Sequence, residues 1–286
     1  MADSPSPGAA PGKGGSKLDL ASVAGVVIAL GGILGGLLLE GGKLKDVAQF
    51  TAALIVLGGT AGAVMVSTPM PVLAGAARRL MGVLFDSAKP MDGLVEEMIE
   101  YATKARKQGL VSLEQQAAAA EDLFLRKAMN LAVDGTDIQE IRKMLEMEID
   151  LDRHHAEAEA KVFECAGGFA PTVGIIGAVL GLIQVMKNLA NIDEVGHGIA
   201  VAFVATVYGV GVANLFFLPA AAKIKARVHA DVQRKELILE GVCGIVEGLN
   251  PKLIRSQLEA FTHQTPAKAR KETAPAAADA PAGAKA

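Results

Sequence analysis

The amino-acid sequence predicts an all-α integral membrane protein, with four transmembrane helices and a large helical cytoplasmic insertion between spans two and three. Three observations lead to this fold class. Hydrophobic residues make up 51% of the 286 residues and the mean hydropathy is +0.35, although 21% of the residues are charged. Four apolar runs contain no charged residue, and each is about as long as the ~20 residues that cross a bilayer core. The remaining sequence has helical periodicity and no strand-like alternation of useful length.

The first two apolar runs are predicted to form a transmembrane hairpin over residues 18–68. The first span is Leu20–Leu39, in which overlapping GxxxG spacings favour close helix contact in lipid. The second span is Val47–Val66. Pro69 and Pro71 are expected to end it, because proline cannot continue the helical hydrogen bonds.

A cytoplasmic helical domain is predicted over residues 69–165. Gly109 and Gly135 interrupt its helical periodicity, as glycines between helices commonly do. Between them, a capping-box pattern that begins at Ser112 predicts a single helix over Leu113–Leu131. The segment is rich in charges of both signs, which is typical of a solvated surface.

The other two apolar runs are predicted to form a second transmembrane hairpin over residues 166–222. Its helices, Ala166–Met186 and Ile199–Ala222, are joined by the polar loop Lys187–Gly198. Small residues lie on one face of each helix, a pattern that allows close helix packing or leaves room for another helix or water. They are Gly167, Ala170, Gly174, Gly177 and Gly181 in the first helix, and Ala202, Thr206, Gly209 and Ala213 in the second.

Neither helix of the second hairpin contains Asp, Glu, Lys or Arg. If ions cross here, the carboxylate that carries them must come from a partner. Pro171 and Pro219 each leave one helical carbonyl without its N–H donor. The freed carbonyls could line an ion path, or the prolines could simply kink the helices. The hydroxyl of Thr206 could face the same path or bond back to its own helix. Weaker candidates of the same kind are Thr172, Tyr208 and Asn214.

Positive residues follow the second and fourth spans, at Arg78–Arg79 and Lys223–Arg227. The positive-inside rule therefore places both termini and the insertion in the cytoplasm. Residues 223–263 are predicted to form a cytoplasmic C-terminal helix. The compositions of residues 1–17 and 264–286 predict a disordered extension and a disordered tail.

Several function classes find no support in the residues. The net charge of −3 provides no basic field for nucleic acid. No arrangement of nucleophile and base indicates an enzyme, no catalytic residue is assigned, and no cofactor is expected. His154 and Glu157 share a helix face but have no third ligand in register, so a solvated surface is favoured over a metal site.

Four motifs in order identify a family resemblance. They are Leu54–Thr60, Ala105–Glu114, Ala170–Gly181 and Ala205–Asn214 with Pro219. On these motifs the chain resembles, from about Leu20 to Phe261, the A subunit of the bacterial flagellar stator. This is the MotA/PomA branch of the MotA/TolQ/ExbB family.

The resemblance implies a bacterial inner-membrane machine in contact with membrane lipids. A pentameric ring of A subunits surrounds the single-span helices of two B subunits (MotB/PomB-like), whose mid-membrane Asp binds the ion. The small-residue faces of spans three and four then line the ring, and ion flow turns it. By position, Pro171 and Pro219 match prolines tied to coupling. Arg106, Lys107 and Glu114 match charged positions that contact the rotor switch protein (FliG-like).

The resemblance also bears on the coupling ion. In sodium-driven members a third-span Thr joins the fourth-span Thr beside the partner's Asp. Here Thr206 supplies the fourth-span hydroxyl, but the third-span position is Ala178, and a methyl group cannot coordinate an ion. Proton coupling is therefore predicted.

Two alternatives remain open. A TolQ/ExbB-like energiser of envelope processes usually has three spans, with its large cytoplasmic part after the first. A passive membrane scaffold would use its glycine faces only to pack helices. A neighbouring gene that encodes one span, a mid-span Asp and a peptidoglycan-binding domain would distinguish the stator from the scaffold.

Overall fold

A computed structural model describes residues 17–18, 20–83, 85–86 and 91–262. Residues 1–16 of the predicted extension and the whole predicted tail, 264–286, lie outside the described residues.

The described residues are almost entirely helical, as the sequence predicts. In chain order the helices are α1 Leu20–Leu39, α2 Leu44–Val47, α3 Phe50–Ser67, α4 Met70–Val83, α5 Met91–Gln108, α6 Glu114–Ala119, α7 Leu123–Val133, α8 Ile138–Lys187, α9 Ile192–Val246 and α10 Pro251–Thr262. A wider, π-type turn lies within α3 at Leu54–Gly58 and within α9 at Ala213–Phe217. The all-α prediction missed a short antiparallel pairing of Lys17–Leu18 with Phe85–Asp86.

The chain folds as two compact units. The first unit contains the described residues within 1–90 and 139–236, and the second contains those within 91–138 and 237–286. Three helices of the described chain are long and apolar enough to cross a membrane: α3, α8 and α9. Val23–Leu39, within α1, is a shorter apolar helix by the same measure.

The two longest helices continue beyond the predicted limits of the last two spans. Helix α8 continues through 165/166 and α9 through 222/223, where the predicted spans meet the cytoplasmic segments. No residue at these positions interrupts the helical hydrogen bonds. An ion pair joins α8 and α9 close to these two positions, with Lys225 Nζ 2.6 Å from Glu164 Oε1. Helix α8 tolerates Pro171 in its interior without ending.

The predicted loop between the last two spans is too long. Helix α9 begins at Ile192, so most of Lys187–Gly198 is helical and only 188–191 connects the helices. The N-cap explains the difference: the Asn191 side chain accepts a hydrogen bond from the backbone N–H of Asp193 at 3.2 Å. Asp193 also lies in the first turn, where its charge favours the helix dipole.

The helix predicted over Leu113–Leu131 is two helices, α6 and α7. Ser112 does not cap α6, because its hydroxyl donates to the Gly109 carbonyl at 2.7 Å. Asp122 caps α7 instead, accepting hydrogen bonds from the N–H groups of Phe124 and Leu125. This second cap is not part of the pattern from which the helix was predicted.

Small side chains form much of the buried core of the first unit. One cluster holds the buried residues Val64, Ala76, Ala156, Ala160, Val162, Phe163, Ala166, Ala220, Ala221, Ile224 and Val228. A second cluster joins α3 to α9 and contains Ala52, Val56, Val204 and Ala205. Because Ala side chains dominate, the helix backbones approach one another closely.

Candidate functional site

The apolar segments of α8 and α9 pack through their small residues. A Cβ placed on Gly174 would lie 2.9 Å from the Ala205 carbonyl oxygen, and one on Gly209 would lie 2.5 Å from the Ala170 carbonyl oxygen. Further along the seam, a Cβ on Gly181 would lie 2.8 Å from the Gly198 carbonyl oxygen. Only glycine permits this separation.

This packing gives part of the small-residue stripe a role within the chain. Gly174, Gly181 and Gly209 lie in the contact between α8 and α9, and the lining of a ring by these faces stays a prediction. Larger apolar side chains occupy the outer surfaces of the two helices, and Ile176 and Phe203 are 57% and 71% exposed. A partner that approaches this pair therefore meets those side chains and the few polar groups among them.

The four candidate ion-path residues lie at or near the surface of the first unit. Pro171, Ala178 and Thr206 are half-buried, and Pro219 is exposed. The Thr206 hydroxyl donates to the Ala202 carbonyl of its own helix at 3.2 Å. Its hydrogen is therefore used within the helix, which was one of the two alternatives for this residue. Its oxygen retains acceptor capacity.

Pro219 follows the π-type turn Ala213–Phe217 in α9. There the backbone N–H of Leu218 donates to the Ala213 carbonyl, five residues earlier. Pro219 has no N–H to give to the turn before it. π-Type turns inside α-helices occur frequently at functional sites.

Tyr208 has a structural role that its sequence context did not reveal. Its hydroxyl donates to the Val47 carbonyl at 2.5 Å and accepts from the Gln49 N–H at 3.4 Å. These bonds satisfy backbone groups at the break between α2 and α3, where the sequence predicts one continuous span from Val47. A tyrosine in an otherwise apolar helix was the available signal, because buried phenols require a partner.

Substitution of Tyr208 by phenylalanine is expected to lower the stability of the first unit by about 1–3 kcal/mol, because the Val47 carbonyl loses its partner. The thermal midpoint of the purified protein, followed with a thiol-reactive dye, measures the change. Phe203→Leu, at an exposed position of the same helix, is the control. An unchanged midpoint in Tyr208→Phe would show that the bridge contributes nothing to stability.

The candidate rotor-facing residues all belong to the second unit and are exposed. Arg106 and Lys107 lie in the last turn of α5, and Glu114 opens α6. Between them Gly109 adopts φ +82°, a left-handed conformation that favours glycine and reverses the chain. Leu113 is fully buried and anchors the turn. The structure thus brings the three charges onto one helical hairpin, α5–α6.

One polar contact holds this hairpin and another holds the connection that follows it, and neither was predicted from the sequence. Lys104 Nζ donates to Gln116 Oε1 at 3.1 Å, which ties α5 to α6. The Arg126 guanidinium donates to the Ala120 carbonyl through Nη2 at 2.6 Å, which fixes the connection from α6 to α7. Spacing alone could not predict either contact, because both depend on how the helices pack.

Helix α10 is tied to α5 by a bidentate ion pair. Arg255 donates through Nη1 and Nη2 to the two carboxylate oxygens of Glu96, at 2.5 and 2.7 Å. These hydrogen bonds hold the pKa of Glu96 below its ordinary value. The ion pair therefore contributes its full stability at pH values above the ordinary pKa of a carboxyl group. That contribution is lost as the pH falls through the lowered pKa of Glu96.

Comparisons with known proteins identify the family. The family model described as "Motility protein A N-terminal" matches residues 23–109, and the one described as "MotA/TolQ/ExbB proton channel family" matches residues 116–237. Motility protein A of Bacillus subtilis (strain 168) is 34% identical over 245 residues, which are 84% of this chain and 90% of that protein. The chain belongs to the MotA/TolQ/ExbB proton channel family.

Solved structures agree with this membership. The structure of C. jejuni MotAB contains a chain that is 34% identical, with a TM-score of 0.82 over 85% of this chain and 96% of that chain. The flagellar MotAB stator complex from Bacillus subtilis contains one that is 32% identical, with a TM-score of 0.77 over 84% and 95%. The fold of this MotA/TolQ/ExbB family member is therefore that of its relatives along most of its length.

Proposed function

We propose that the chain is the A subunit of a proton-driven flagellar stator, which couples inward proton flow to torque on the rotor. One observation carries the proposal: the chain shares both sequence and fold with chains of MotAB stator structures over 85% of its length. In that role five copies form a ring around the single-span helices of two B subunits.

The need for a B subunit also follows from the residues. The apolar segments of α1, α3, α8 and α9 contain no carboxylate. A titratable group within a membrane is costly and is kept where transport requires it. The proton carrier is accordingly a mid-membrane Asp on a single-span partner, and Pro171, Ala178, Thr206 and Pro219 border its path.

The proposed topology has four spans in the bacterial inner membrane, with both termini in the cytoplasm. The spans are α1, α3 and the apolar segments of α8 and α9. The hairpins 18–68 and 166–222 lie in the membrane, and 69–165 and 223–263 in the cytoplasm. Arg79 supports this orientation, because it ion-pairs with Glu159 just beyond the apolar stretches, where positive residues mark the cytoplasmic side.

Motility of a host that lacks its own stator tests the function. Production of this chain together with its B partner is expected to restore swimming, whereas either chain alone is expected to restore none. The A chain alone is also expected to conduct no protons, because it carries no acid in its spans. Proton conduction by the purified A chain without a B subunit would contradict the proposal.

Charge reversal tests the rotor-facing hairpin. Arg106→Glu and Glu114→Arg are each expected to reduce swimming mildly and together more strongly, since exposed ion pairs contribute only about 0–1 kcal/mol each. Swimming speed and the amount of assembled complex are measured side by side. Glu247→Arg, at an exposed acid outside the hairpin, is the matched control. Normal swimming after both hairpin reversals would assign these charges to an ordinary solvated surface.

A further inference from the structure

A lysine in the α5–α6 hairpin is held by a neutral side chain. Lys104 Nζ on α5 donates to Gln116 Oε1 on α6 at 3.1 Å, and both residues are half-buried. Within the described chain Lys104 makes no ion pair, although Glu100 lies one turn earlier on the same helix. The amide oxygen holds the ammonium group in place, as a carboxylate would, but it does not cancel the positive charge. Because the contact lies within one hairpin, it does not depend on how copies of the chain assemble.

This charge adds to an imbalance at the tip of the hairpin. Between positions 104 and 116 the sequence carries three cations, Lys104, Arg106 and Lys107. The one acid in that stretch is Glu114. Lys104 and Lys107 are three residues apart on α5, so their Cβ atoms are about 5–6 Å apart. That separation is shorter than the distance of about 8 Å over which physiological salt screens exposed charges. Lys104 therefore contributes to the positive field that an approaching partner meets.

We propose that Lys104 is a further charge of the rotor contact, which Gln116 positions without neutralising, so that the hairpin attracts an acidic face of the rotor switch protein. The inference rests on the proposed stator function. It identifies the partner surface by its chemistry: opposite the hairpin, that surface carries more acids than bases. Attraction between complementary charges acts mainly on the rate at which two proteins associate. A glutamate at position 116 would keep the contact with Lys104 as an ion pair and cancel the charge.

The test separates the charge of Lys104 from its contact with Gln116. Gln116→Glu keeps the contact and cancels the charge, Gln116→Met removes the contact and keeps the charge, and Lys104→Met removes both. Gln257→Glu, at an exposed position of α10, adds the same acid outside the hairpin and is the matched control. The complete A–B complex is placed in nanodiscs of neutral lipid. Association and dissociation rates of the purified rotor switch protein are then measured at low and at high salt.

Gln116→Glu and Lys104→Met are each expected to slow association about two- to fivefold at low salt, with no difference at high salt and no change in dissociation. Gln116→Met and Gln257→Glu should stay close to the unsubstituted complex.

Three results would overturn the inference. The first is unchanged association in Gln116→Glu. The second is an equal loss in Gln116→Glu and Gln257→Glu, which would attribute the effect to the overall charge. The third is faster dissociation in Gln116→Met, which would make Gln116 a structural contact only. Absence of binding by the unsubstituted complex would instead reject the stator function itself.

Discussion

Replacement of Gly209 by alanine is expected to destabilise the first unit by about 1–3 kcal/mol, the range for overpacking a tight contact. The added Cβ would lie 2.5 Å from the Ala170 carbonyl oxygen and 3.1 Å from the Gly174 Cα. Both are backbone atoms, so no side chain can rotate away and α8 and α9 must separate. We therefore expect little assembled protein in the membrane and no motility.

Gly211 provides the matched control, because it lies in the same helix and a Cβ there would meet nothing within 4 Å. Gly211→Ala should be neutral or stabilising by up to about 1 kcal/mol, the helix-propensity difference between the residues. A thiol-reactive dye reports unfolding of the first unit through the half-buried Cys165, which lies in that unit. Equal midpoints for the two variants would mean that the seam is looser than its distances indicate.

Much of the fold could be predicted because local residues determine it. The first span agrees with α1 at both ends, and Gly109 ends α5 with the positive φ that glycine adopts most readily. The small-residue stripe was also recognised, and close packing within the chain was one of the two uses that the sequence left open. A glycine face packs equally well against its own chain or against a partner, and only the positions of the backbones distinguish the two.

The other differences between the predicted and the observed helices come from polar side chains. Some of these side chains cap helices, and others bind residues far away in the sequence. Asn191 and Asp122 begin α9 and α7 at positions that periodicity alone did not identify. The Tyr208 bridge spans 161 positions of sequence to Val47. The Glu96–Arg255 pair spans 159. Such pairs are properties of the packed helices and leave no local pattern in the sequence.

Swimming driven by the complex is expected to stop completely on addition of a protonophore and to be independent of sodium concentration at fixed pH. Sodium must exchange its water for oxygen ligands, whereas a proton needs only a titratable group and a hydrogen-bonded path. Of the hydroxyl pair that the resemblance associates with sodium, only Thr206 is present. Speed is measured against sodium concentration, with and without the protonophore. Speed that follows sodium and survives the protonophore would overturn proton coupling.

A pair of substitutions at Ala178 separates the effect of an added hydroxyl from the effect of a larger side chain. Thr and Val have nearly the same shape, so Ala178→Thr and Ala178→Val disturb the half-buried position to the same extent and differ in one oxygen. We expect a sodium-stimulated component of swimming in Ala178→Thr and none in Ala178→Val, because only the former supplies the second hydroxyl that the resemblance associates with sodium. The same sodium response in both variants would show that position 178 does not select the ion. Selection would then depend on other oxygens, such as the carbonyl of Gly167 that Pro171 leaves without a donor.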